Sequence, residues 1–442
     1  MKTRFFFIVL SIVIGTSSFG QSFVGHTVDN YAGVHSVIYN PSNVISTELR
    51  AEINLFAASV FAGSDYLGVD LSNVLNTLDD IELTDDSEKF PNNANEFYFN
   101  VDVLGPSFMF NINDKNSVGL ITRLRGQANL FNVNGELFEL IVEDFGSDTS
   151  VDFDMQDVSG TVHAWAEIGL VYGRVILDQP KHRLKGGVTL KYLQGAGSTF
   201  LNSPGLNGQF LPVTETLTTQ GTLEYGFTDG FDSNDINFSN ITSSFGMDIG
   251  FTYQWHRDRK SGRLRGYDSP YQLKIGVSVT DIGSINYEDS TIKNYDLNAT
   301  VSTADYEGNL ERFLDENYQN VETVQTSRIS LPTALHVLID YRLSNNFLVS
   351  AQADLSMQSR EEAFSNAVLN TMTLVPRYES KWLSLYAPLS FRQYNDIASG
   401  LGLRLGPLTV GSGSIITNLL SNNSKTLDLF MGLSIPLYKN TN

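Results

Sequence analysis

Large apolar side chains occupy every second position of SSFGMDIGFTYQWH. Phe245, Met247, Ile249, Phe251, Tyr253 and Trp255 share one face of an extended chain. Gly246, Asp248, Gly250, Thr252, Gln254 and His256 share the other. Six large apolar residues in register reach about 36 Å at roughly 3.3 Å per residue. Tilted by about 45°, that length covers the apolar band of an outer membrane, whereas a soluble sandwich strand normally offers a shorter apolar face. The same division returns at the C-terminus, where Leu427, Leu429, Met431, Leu433, Ile435 and Leu437 oppose Asp428, Gly432 and Ser434. SVGLITRLRGQANLF, HAWAEIGLVYGRVIL, HRLKGGVTLKYLQG, YQLKIGVSVTDIG and TALHVLIDYRL repeat it. Lipid outside and a wetter lumen inside require that pattern, so the expected fold is all-β, a transmembrane antiparallel β-barrel.

About fourteen strands are read, near 49–61, 96–111, 117–131, 161–177, 183–197, 243–257, 270–283, 329–343, 346–357, 370–379, 382–392, 398–405, 408–417 and 427–438. Tight turns (NDKN, LDQPKH, LSNN, ESK, Gly406-Pro407 and the basic RDRKSGRLRG) alternate with long segments at 62–95, 132–160, 198–242 and 284–328. Short periplasmic turns and long external loops are the habit of such barrels, and the alternation puts both termini in the periplasm. It requires LTTQGTLEYGF (217–227) to belong to an external loop. NLERFLDEN (309–317) is expected to form a short helix within another loop.

Lys2 and Arg4 precede an apolar run from Phe5 to Ile14 and then TSSFGQ, the parts of a secretory signal peptide over residues 1–20. Ser18 and Gly20 supply the small side chains a signal peptidase needs, which places the cut before Gln21 and the mature protein in the outer membrane of a Gram-negative bacterium. The apolar run is too short for a membrane anchor. There is no cysteine, which excludes a lipidated cysteine, disulfides and thiolate sites. A formal charge of -20 repels nucleic acid, so no nucleic-acid partner is expected. The 28 Phe, 19 Tyr and 36 Gly favour strands and turns over helices.

Signals for chemistry are sparse, and neither an enzyme nor a cofactor is expected. His26, His35, His163, His182, His256 and His336 are scattered without metal-ligand spacing, and no HExxH, GxSxG, P-loop or strand-linked GxGxxG occurs. DGFDSND lacks the glycine and distal glutamate of a calcium loop, and with DDIELTDDSEK it reads as solvated loop charge. Charges fall on the inferred inner face at Arg123, Arg125, Glu167, Lys185, Lys191, Asp248, Asp340, Arg392 and Arg404. Their mixed signs favour a salt-bridged filling over a path for a polar solute. In RDRKSGRLRG, Arg257, Arg259, Lys260, Arg263 and Arg265 are expected to meet anionic headgroups of outer-membrane lipid, with docking of a partner protein as the sharper alternative.

Between the signal and the first strand, VDNYAGVHSVIYNPSNVIST carries Asn40-Pro41-Ser42. This resembles the Asn-Pro-Ala element in the N-terminal hatch of FadL-like barrels, a superfamily that includes fatty-acid channels and the secretion accessory PorV. HRLKGGVTLKYLQG, FGMDIGFTY, VTDIGSINY, LVPRYESKWLSLYAPLSF and SGLGLRLGPLTVGSGS together look like an uncharacterised family of Bacteroidota outer-membrane barrels. The resemblance implies a hatch over residues 21–48 inside a barrel over 49–438, with Asn40, Pro41 and Ser42 as its central residues. The function it implies is binding or passage of a hydrophobic or amphipathic small molecule. The alternative it implies is a non-transporting accessory of secretion or surface-assembly machinery. Ser42 stands where the fatty-acid channels have alanine, so fatty-acid transport is not carried over.

Overall fold

The computed structural model describes residues 22–68, 88–231, 240–257, 270–359, 364–394, 396–421 and 423–439. The segment read as a signal, the acidic stretch 79–87, residues 232–235 of DGFDSND, and Arg259, Lys260, Arg263 and Arg265 lie outside the described residues. Arg257 is described and exposed.

The first wall strand is β1 (Leu49–Ser64). It pairs with a strand broken into β2 (Asn95–Leu104) and β3 (Ser107–Asn111), followed by β4 (Asn116–Val133), β5 (Val151–Asp178) and β6 (His182–Leu211). The outer part of β6 pairs with β7 (Thr216–Thr228), while its inner part pairs with β8 (Thr242–Trp255). Next comes β9 (Leu273–Asp296), whose outer half meets β7 and β11 (Gln319–Ser330). The short β10 (Ala299–Ser302) pairs with β7. The inner half of β9 meets β12 (Ala334–Arg342), which leads to β13 (Phe347–Ser356) and β14 (Thr371–Glu379). Two more broken strands follow, β15 (Leu383–Tyr386) with β16 (Leu389–Arg392), and β17 (Asp396–Ser399) with β18 (Leu401–Leu405). Finally β19 (Leu408–Ser412) pairs with β20 (Thr426–Tyr438), and β20 closes on β1. Each broken strand counts once, so the ring is a closed antiparallel barrel of 14 strands.

The breaks have local causes. Pro106 and Pro388 lack the N–H that a ladder needs, and each sits in a gap between paired segments. Outward residues are apolar and exposed: Phe245 is 74% exposed and Leu429 60%, while Asp248 and Asp428 on the opposite faces are buried. That is the surface of a membrane-spanning barrel.

Beyond the rim, β5, β6, β7, β9, β10 and β11 rise as an external sheet. It has its own apolar core, with Phe153, Met155, Phe210, Tyr295, Phe313 and Tyr318 buried together. Two helices pack there, Gly135–Val142 and Leu310–Asn317. Each begins where an asparagine side chain, Asn134 or Asn309, accepts a first-turn N–H. The helix read over 309–317 is therefore present.

Some sequence expectations need correction. Residues 217–227 are not an irregular loop but strand β7, held outside the ring, which is why the count of fourteen survives it. Strands β5, β6 and β9 run 10 or more residues further outward than their alternation indicated. In β6 the Pro204-Gly205 step that reads as a loop sits in a register shift of the pairing with β7. The strand read over 329–343 is interrupted at Leu331–Thr333, around Pro332. The one read over 408–417 stops at Ser412 and gives way to a helix at Ile415–Leu420, while the strands read over 382–392 and 398–405 are each split.

If the alternation sets the lipid face, Phe251→Arg should destabilise the barrel by roughly 2–4 kcal/mol in urea titrations of refolding into liposomes. Thr218→Arg on the exposed external sheet should stay within about 0.5 kcal/mol. Equal penalties at the two positions would contradict the assignment.

Candidate functional site

The lumen is occupied from both ends. From the end of the ring where β1 begins and β20 stops, residues 22–48 fold inside the ring, with a short helix at Val34–Tyr39 and a 3-10 turn at Pro41–Val44. Phe23, Val28, Val34, Val37 and Val44 bury their side chains against inward residues of the wall, among them Ile121, Val171, Leu338 and Phe430.

Polar contacts fix this segment around the ring. Asn40 is extended, φ -148 and ψ 112, and its Oδ1 accepts from Ser42 N at 3.0 Å and Ser42 Oγ at 2.7 Å. Its Nδ2 donates to Phe251 O at 3.1 Å and Val277 O at 3.3 Å, so one side chain closes the 3-10 turn and ties it to β8 and β9. Ser42 Oγ lies 2.7 Å from Thr252 Oγ1. A cradle of wall glycines makes room: a Cβ on Gly187 would come 2.4 Å from the Pro41 carbonyl carbon, and one on Gly173 would come 2.4 Å from Val44 Cγ1. Elsewhere the Glu52 carboxylate accepts from Val34 N at 2.8 Å, Arg404 Nε donates to Asp29 at 3.0 Å, and Asn30 Nδ2 donates to Glu379 at 2.7 Å. Lys185 Nζ donates to Ile45 O at 3.0 Å.

Above this segment lies a belt of buried charge. Arg123 donates to Asp102 at 2.7 Å, Arg125 to Asp281 at 2.7 Å, and Lys191 pairs with Asp248 at 2.8 Å and Glu167 at 3.2 Å. A second group joins Asp340 to Arg377 at 2.9 Å and to Lys274 at 3.4 Å, and Arg392 pairs with Asp428 at 3.4 Å. Losing one partner of such a buried pair strands the other, at a cost of about 3–5 kcal/mol.

From the external side, the connection between β13 and β14 turns back into the lumen. Gln127 and Asn129 donate to Ala367 O at 2.5 and 2.9 Å, and Asn366 Nδ2 lies 2.9 Å from His163 Nδ1. Around it the wall is apolar and aromatic: Trp165, Leu193, Phe200, Ile285 and Tyr287 cluster, with Phe364 edge-on to Phe200 at 4.4 Å. Between the two inserted segments remains a polar cavity of about 70 Å3, bordered by Tyr39, Arg123, Arg125, Asp281, His336 and Val368. A larger hollow of about 470 Å3 lies against the wall, bordered by outward residues such as Phe99, Leu130, Val162 and Leu201.

The structure thus brings Arg123, Arg125, Glu167, Lys191 and Asp248 into one belt. It sets Asp340 and Arg404 apart in smaller groups and holds Asn40, Pro41 and Ser42 below them, against the wall. Sequence reasoning missed Asp102, which sits on the inner face of NVDVL and could have been found by the same parity, and Asp281, which shares the parity of the outward Val277 and is turned inward by a register shift at φ 57 that no alternation reveals. It also missed the inserted 364–370 segment, which has no periodic signal.

His26 and His35, nine positions apart, meet with ring centroids 4.9 Å apart, and His35 lies edge-on to Phe23 at 4.8 Å. Burial pushes His35 down to about 4 from an ordinary value of 6.5, and burial together with His35 lowers His26 further. In the lumen these rings refuse protons that solvated ones would take. If the segment can leave the lumen, its hold is at full strength above pH 6.5 and weakens as pH falls toward 4, with a loss of about 2 kcal/mol from His35 at pH 5. Labelling of a Thr27→Cys variant by a pyridyl disulfide, a reagent that works in acid, should accelerate about twentyfold between pH 7 and 5. His35→Phe should remove most of that acceleration. A rate unaffected by His35→Phe would contradict the account.

Comparison with curated proteins finds no match. Among solved structures, the chain resembles a Pseudomonas aeruginosa FadL homologue (9% identity, 95% of this chain and 99% of that one, TM-score 0.43). It also resembles the Pseudomonas putida toluene transporter TodX (8% identity, 95% and 98%, TM-score 0.41) and a deletion mutant of the TodX monoaromatic hydrocarbon channel (10% identity, 95% and 97%, TM-score 0.44). Likeness this remote carries no ligand across. The pattern of the protein family of unknown function DUF5723 runs over residues 41–413, from the Pro41 turn in the lumen to the end of β19, and the chain belongs to that family.

Proposed function

We propose that this protein is an outer-membrane barrel that binds and passes a small amphipathic molecule, with residues 22–48 as an inner hatch and 364–370 as an outer one. The observation that carries this reading is the layering of the lumen. An apolar, aromatic outer half stands over an ion-paired middle, and each end is stopped by a segment that adds no strand to the ring, the inner one held through side-chain contacts and the outer one through side chains and a backbone bridge to Ser330. A molecule with an apolar body and a polar end meets matching surfaces in that order. A barrel acting only as an accessory needs a filled lumen but no filling that can leave.

The native chain has no cysteine, so a single engineered pair is free of competing thiols. Ser42→Cys with Thr252→Cys replaces two hydroxyls 2.7 Å apart by thiols able to bridge. Oxidised, the variant should lose entry of the apolar dye phenylnaphthylamine into proteoliposomes about tenfold or more, and reduction should restore it. Each single variant should behave as the parent. Equal dye entry in the oxidised and reduced double variant would overturn the inner hatch. Failure of the parent barrel to admit the dye or a set of single-chain amphiphiles would overturn passage itself.

A further inference from the structure

The external sheet ends in an open edge. One side of it is guarded: Asn132 Nδ2 donates to Asp157 O on β5 at 2.9 Å, and the helix Gly135–Val142 packs beside that strand. On the other side the last strand is β11. Its residues Gln319–Gln325 pair with Asp296–Ser290 of β9, and β9 is its partner strand among the described residues. The next wall strands, β13 and β14, end at Ser356 and begin at Thr371, level with the rim; Phe364–Asn366 meet β11 at Ser330, and among the described residues no strand pairs with its far edge over Gln319–Thr326.

Every residue from Gln319 to Thr326 is exposed, on both faces of the strand, with Val321 at 66% and Val324 at 64%. Natural edge strands are usually blunted by proline, lysine, a covering element or very short length. Gln-Asn-Val-Glu-Thr-Val-Gln-Thr has no proline or lysine and runs about 26 Å at roughly 3.3 Å per residue. It is β-branched at Val321, Thr323, Val324 and Thr326 and has one charge, Glu322. Exposed acids surround it: Glu288, Asp289, Asp296 and Glu316. The nearby Lys293 is already paired with Glu311 and Asp315.

We propose that β11 is a strand-addition site that takes an extended, β-branched, lysine- or arginine-bearing segment of a partner polypeptide on the external side. Backbone hydrogen bonds to the free edge supply the affinity, and the acidic surroundings select a basic segment. A second copy of the chain fits poorly. Antiparallel pairing of two β11 strands needs a two-fold axis perpendicular to the sheet, and that sheet continues an upright wall. The axis would then lie in the membrane plane and invert the second barrel. The site is independent of the lumen and does not require passage of any solute.

The test is amide hydrogen exchange of the full chain in lipid nanodiscs, with a synthetic peptide alternating lysine with valine and threonine as probe. Exchange over residues 319–326 should slow about tenfold or more when the peptide is present. The slowing should vanish when alternate peptide nitrogens are methylated, and also when glutamate replaces lysine. Glu322→Lys should weaken the basic peptide and favour the acidic one. Three results overturn the proposal: no slowing with the basic peptide, equal slowing with its methylated form, or slowing in the absence of peptide together with the mass of a dimer, which would make a second copy the occupant.

Discussion

A carbonyl or amide left unpaired in hydrocarbon costs several kcal/mol, so the pairing of β1 with β20 decides more than where the last strand lies. Without it both strands would carry a bare edge through the bilayer. With it, each strand must present one face to lipid and one to an enclosed interior, and side chains sort accordingly. Interior positions that would be solvated on an open sheet become buried. The belt of Arg123, Asp102, Arg125, Asp281, Lys191 and Asp248 follows from that enclosure: once charges are inside, each must find a partner.

Enclosure also explains how the N-terminal segment is held. It adds no strand to the ring and binds by side chains and caps. Asn40 ties its own turn to two wall carbonyls, Glu52 caps the short helix, and Arg404 meets Asp29. Glycines on the inner faces of β5 and β6 give the backbone of Pro41 and the side chain of Val44 the space they need. Such contacts are individually modest and separable from the ladder. Under the proposed function, the wall stays intact while the filling moves, and protonation of His35 biases the filling alone. The 364–370 segment enters from the other end, held by Gln127, Asn129 and His163 and by a backbone bridge to Ser330.

The ring was legible in the sequence because alternation has a strict period and a one-residue slip would turn every apolar side chain inward. Phe245 to Trp255 and Leu427 to Leu437 read correctly on that ground. The external sheet was not legible. Its strands lie in water and answer to no lipid face, so Pro204, Gly205 and the polar run of β11 look like loop. Inner-face charges such as Arg123 and Asp248 were visible by parity. Their grouping was not, because partners come from strands far apart in sequence, as Arg125 and Asp281 do. The Asn40-Pro41-Ser42 turn was found through resemblance, while the pairing of His26 with His35 depends on a chain reversal that no local pattern marks.

The central claim is that residues 22–48 can leave the lumen while the barrel stays closed. Amide exchange of the unmodified protein in nanodiscs tests this by comparing that segment with β8 and β9. The account predicts that residues 22–48 exchange as their own unit, orders of magnitude faster than the two strands that hold Asn40. Exchange of segment and strands at one common rate would make the segment an inseparable part of the barrel and contradict the account.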